Sequence, residues 1–144
     1  MLETIVISSI LGKEVVTQTI SESTKGLYHS ISGLMSNNHF LFKELLEELD
    51  INSKIVFINT LIKDIKKLEH INESISLCLN QLNDIIRKIN EEIIEITKNI
   101  EIDKTRWFNS FRNSSYISKV HNLKAHNNIM DYRLELLLKL INFK

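Results

Sequence analysis

Isoleucine and leucine recur in steps of four and three from residue 75 to residue 100: Ile75, Leu79, Leu82, Ile86, Ile89, Ile93, Ile96 and Ile100. That spacing lines one face of a helix, whereas a half-buried strand needs alternation. Asp84, Arg87, Lys88, Glu91, Glu95, Lys98 and Glu101 lie off the seam, and Asp84–Lys88 is a favourable pair four residues apart. Ile71, Cys78 and Ile85 broaden the apolar face, which suits a bundle core better than a two-stranded coiled coil. The pattern predicts a helix over about residues 73–109.

The rest of the chain supports the same architecture. It has 144 residues with no proline and three glycines, so little interrupts long helices. Tyr116, Val120, Leu123, Asn127, Met130, Leu134, Leu137 and Ile141 repeat the spacing with one polar position. An asparagine on such a seam fixes register at some cost in stability. This helix is expected over about 115–141, with Asn113, Ser114 or Ser115 able to cap it. Ile51, Ile55, Ile58, Ile62 and Ile65, flanked by Leu61 and Leu68, mark a third rod over about 51–69. An apolar-acidic piece over about 38–49 precedes it. Its seam (Phe42, Leu45, Leu49) is out of phase with Ile51, which predicts a break near Asp50.

The leading segment allows two readings. Thr4–Ile10 and Glu14–Ile20 are β-branched and flank Leu11-Gly12-Lys13 as a hairpin would. Helix is preferred, because Glu14, Gln18, Ser21, Glu22, Lys25, His29 and Ser32 form one polar face opposite Val16, Ile20, Leu27, Ile31 and Leu34. The expected fold is all-α, an elongated antiparallel up-down four-helix bundle forming a single domain over residues 1–144.

Within that frame Gly12, Gly26 and Gly33 fall on a seven-residue beat whose missing slot is Thr19, with Ser23 and Ser30 alongside. Glycine inside a helix costs about 1 kcal/mol against alanine. The stripe (Gly12, Thr19, Ser23, Gly26, Ser30, Gly33) therefore reads as a place where another helix backbone approaches closely. That helix belongs either to this chain or to another copy or partner.

Two further features invite a functional reading. No acidic residue falls between Lys104 and Met130, while Lys104, Arg106, Arg112, Lys119 and Lys124 interleave with Trp107, Phe108, Phe111 and Tyr116. Cations among aromatics suit phosphate neutralisation with base stacking, or contact with lipid headgroups. Lys104, Arg106, Trp107, Arg112, Lys119 and Lys124 are the candidate anion-binding set; the plainer alternative is a solvated or paired surface around a continuing core seam. Near the C-terminus, Leu134, Leu136, Leu137, Leu138, Leu140, Ile141 and Phe143 cover nearly every direction around a helix. Either the acidic piece over 41–49 covers this end, or Leu136, Leu138, Leu140 and Phe143 form an oligomer or partner surface.

Nothing points to catalysis, a cofactor, a metal or a small-molecule substrate. His121 and His126, five apart, sit about 140° around a helix and so do not share a face. No E-x-x-H, G-x-S-x-G or P-loop pattern occurs. Lysine plus arginine equals aspartate plus glutamate at 18 each, which removes any global pull toward nucleic acid or acidic membranes. A lone Cys78 excludes an internal disulfide and fits a reducing compartment. With Glu3 and no basic leader, the N-terminus does not read as a signal peptide, and no apolar run reaches the roughly 18 residues of a membrane span. The sequons at Asn72 and Asn113 therefore carry little weight. An abundance of Ile, Asn and Lys, amino acids of A/T-heavy codons, points to a low-GC genome: a large DNA virus, a protist or a bacterium.

The expected function is that of a non-enzymatic interaction or scaffold protein acting by self-association or partner-helix binding. The expected place is intracellular, in the cytoplasm, or in the host cytoplasm or virion for a viral product. An anion-binding module for nucleic acid or acidic lipid is one alternative. A membrane-active bundle led by an amphipathic helix is the other.

Overall fold

The computed structural model describes residues 2–37, 40–104 and 113–142. Within them the chain forms α1 (Leu2–Ser36), α2 (Phe40–Leu49), α3 (Ile51–Lys66), α4 (Glu73–Lys104) and α5 (Asn113–Asn142), with no strand among the described residues. The hairpin alternative for the leading segment is thereby excluded, because α1 runs unbroken from Leu2.

Each seam read from the spacing is the buried face of its helix. All eight α4 seam residues are buried, as are Ile51, Ile55, Ile58, Ile62 and Ile65 of α3 and Val16, Ile20, Leu27, Ile31 and Leu34 of α1. On α5, Tyr116, Leu123, Asn127, Met130, Leu134 and Leu137 are buried, and Val120 and Ile141 pack at the core edge. Each fully buried Ile or Leu contributes roughly 1.5–3 kcal/mol of transfer free energy. One shared core therefore holds all the helices.

The helix ends follow local chemistry. Asn72 precedes α4, and its Oδ1 accepts the Ile75 N–H at 2.8 Å, an N-cap bond. Lys63 and Lys66 lie in the last turn of α3, where cations offset exposed carbonyls. Lys13 of α1 donates from Nζ to the Leu68 carbonyl at 2.7 Å, which ties α1 to the end of α3. The break between α2 and α3 falls at Asp50, with φ 52° and ψ 42° in the left-handed region.

Cross-helix bonds fix direction. Ser23 and Ser30 of α1 meet Asn83 and Asn90 of α4, each pair 60 residues apart, so α1 and α4 run parallel. Asp103–Tyr116, Glu95–Lys119 and Gln81–Arg133 descend along α4 as they climb α5, so those two are antiparallel. The rods thus alternate up and down along the chain, as expected. The neighbours differ from a simple meander: α1 packs most extensively on α4, α4 also on α5, and α1 also on α3, while consecutive α3 and α4 are not a close pair. The connection after α3 carries the chain across the bundle, and the tightest pair is parallel.

Candidate interaction surfaces

Only the middle of the small-residue stripe, Ser23, Gly26 and Ser30, meets α4, and it does not work as glycine spacing suggested. A Cβ added at Gly12 or Gly33 would meet nothing within 4 Å, and one at Gly26 would make ordinary contact, 3.5 Å from Asn90 Nδ2. No close backbone approach depends on these glycines. The serines carry the contact instead. Ser23 Oγ donates to Asn83 Oδ1 at 2.7 Å, and Ser30 Oγ to Asn90 Oδ1 at 2.5 Å. Thr19 bonds its own helix, donating to the Val15 carbonyl at 2.7 Å. The stripe is a two-rung polar ladder one heptad apart, with Gly26 between the rungs. Asn83 and Asn90 share that heptad spacing and are the sequence signal that completes it.

Other polar side chains also pin helices. Lys54 of α3 donates to Asn127 Oδ1 at 2.8 Å and pairs with Asp131 Oδ1 at 2.9 Å, which explains the polar entry on the α5 seam. Tyr116 donates to the buried Asp103 carboxylate, and its ring stands edge-on to Phe42, centroids 5.3 Å apart. His126 Nδ1 lies 2.8 Å from Glu92 Oε1 across the α4–α5 interface. Buried Thr17 and Thr24 bond carbonyls of their own helix, so they cost little inside it.

Of the cationic set, only Lys104, Lys119 and Lys124 fall among the described residues, and each is placed separately. Arg106, Trp107 and Arg112 lie outside the described residues. Lys104 donates to the Asn37 carbonyl at 3.1 Å, Lys119 pairs with Glu95 at 3.0 Å, and Lys124 is exposed on α5.

The leucine-rich end of α5 is also less free than its composition suggests. Leu138, Leu140 and Ile141 are partly buried against the core, and Leu136 is half-buried; Phe143 lies outside the described residues. The acidic α2 does not cover this end. It packs at the opposite end of α5, where Phe42 meets Tyr116.

Exposed apolar surface lies elsewhere. A cleft of about 450 Å³ runs between α1 and α3, lined by Thr24, Lys25, Tyr28, Ile55, Val56 and Asn59. Tyr28 is 52% exposed and Val56 66% exposed beside the buried Ile55. Among the described residues no three His, Cys, Asp or Glu side chains come together as a metal site. Among them, too, no helix is long and apolar enough to cross a membrane.

No family model matches the chain, and no solved structure matches it. It is similar to an uncharacterized protein of Acanthamoeba polyphaga mimivirus, with 31% identity over 118 residues. The match takes in 81% of this chain and 55% of the viral protein, so the chain spans about half the length of that relative.

Proposed function

We propose that this chain is a non-enzymatic helical-bundle interaction protein, a scaffold that associates with its own copies or takes up a partner helix. The observation that carries the reading is the α1–α3 cleft, where Tyr28 and Val56 keep more than half of their surface in water. A groove between two helices is the usual seat for a third apolar helix face. The polar interior supports the same view, since Ser23, Ser30, Lys54 and Tyr116 are engaged in holding helices together. The similarity to a mimivirus protein supports a viral source, with action in the host cytoplasm or the virion.

The test is mass in solution across a concentration series, for the native chain and for a Tyr28→Ser/Val56→Ser variant. The native mass is expected to climb above the 16.8 kDa of one chain, and the variant to climb less. A native mass fixed at 16.8 kDa across the series removes self-association.

A further inference from the structure

The α2–α3 junction departs from ideal helix at a single residue. Asp50 adopts φ 52° and ψ 42°, a conformation that L-residues other than Asn and Asp rarely hold. The helical hydrogen bonding nearly spans the junction. The Asp50 N–H donates to the Leu46 carbonyl at 3.1 Å, and the Lys54 N–H to the Asp50 carbonyl at 3.3 Å. The α3 N-terminus has no side-chain cap, because the Asp50 carboxylate accepts from the Ser53 hydroxyl instead. Rotating one residue into the right-handed region would join α2 and α3 into one rod over 40–66, about 40 Å long, and pair those first amides with α2 carbonyls. The packing beside the junction is open. A cleft of about 200 Å³ is lined there by Ile31, Met35, Leu46, Asp50 and Ile51.

The straight rod has a distinctive feature. At about 100° per residue, Phe42 and Leu49 fall roughly 160–180° away from Ile51. The buried face of α2 (Phe42, Leu45, Leu46, Leu49) would then point away from the buried face of α3 (Ile51, Ile55, Ile58). A rod with core faces on opposite sides cannot serve one bundle, but it fits between two.

We propose that two copies of this chain exchange the arm formed by α1 and α2, with Asp50 as the hinge. In the exchanged dimer α1 of one copy lies on α3 and α4 of the other, and the Ser–Asn rungs and the α1–α3 cleft re-form between copies. The packed contacts away from the junction are kept, and the strain at residue 50 is released, which are the conditions that favour exchange. Each dimer presents two clefts. The proposal rests on reading the chain as self-associating and gives it a second route, separate from burial of the cleft.

The test uses the full chain with Cys78→Ser. One preparation carries Ser23→Cys and a second Asn83→Cys; they are mixed, warmed, cooled and treated with a short bis-maleimide. Exchange predicts covalent two-chain species in the mixture and in neither preparation alone. In parallel, Asp50→Ala, which favours the helical hinge, is expected to raise the dimer association constant about tenfold or more over Asp50→Gly, which tolerates the left-handed one. Dimers that form without cross-chain links, in amounts indifferent to residue 50, overturn exchange and leave surface association standing. A chain that stays monomeric in every variant overturns both.

Discussion

Gly33 and Asn127 show how differently the same kind of sequence anomaly resolves. Three helical glycines in register suggested a tight crossing, yet Gly12 and Gly33 face open space and Gly26 touches only a side-chain amide. Gly→Ala at each position is therefore expected to stabilise the chain by about 0.5–1 kcal/mol through helix propensity, read as a rise in the urea midpoint. A loss of stability at Gly26 alone would restore the crossing. The polar position on the α5 seam does carry a contact, since Lys54 reaches across to Asn127 and Asp131. Lys54→Ala should cost about 1–3 kcal/mol by stranding the Asn127 amide oxygen. Replacing both partners, with Lys54→Met and Asn127→Leu, should recover most of that loss in the same titration. Failure of that recovery would mean that Asn127 owes its place to something other than Lys54. Seam position made Asn127 legible in the sequence; its partner was not, because Lys54 lies 73 residues away with no periodic tie to it.

At the level of elements, apolar spacing carried most of the fold. The seams of α3, α4 and α5 and the break at Asp50 follow from steps of four and three, because those steps decide which face leaves water. Ile86 and Ile93, both fully buried, sit mid-seam. Alanine at either should cost about 2–5 kcal/mol by chemical denaturation, whereas Ile94→Ala, at a 40% exposed site, should cost far less. Equal losses at Ile93 and Ile94 would mean that the seam faces another way. Helix neighbours were less legible. Apolar spacing says which face is buried and not which helix it meets, so the parallel pairing of α1 with α4 had to come from the Ser–Asn rungs. The leucine-rich end of α5 misled for a related reason: composition counts apolar side chains, but Leu138 and Leu140 are already packed at the core edge.

For the whole molecule, the arrangement turns on α1 lying parallel against α4 in one register, since this pair forms the most extensive contact and sets where α3 and α5 attach. The cleft on the far side of α1, and any exchange of the α1–α2 arm, depend on that placement. It is tested most directly by paired cysteines in a Cys78→Ser chain treated with a short bis-maleimide. Ser23→Cys/Asn83→Cys and Ser30→Cys/Asn90→Cys should both cross-link. Thr19→Cys/Thr97→Cys should not, because its second site lies eighteen residues, about 27 Å, beyond the rung that matches Thr19. Cross-linking of Thr19→Cys/Thr97→Cys with silence at both rungs would show α1 and α4 running in opposite directions and contradict the arrangement.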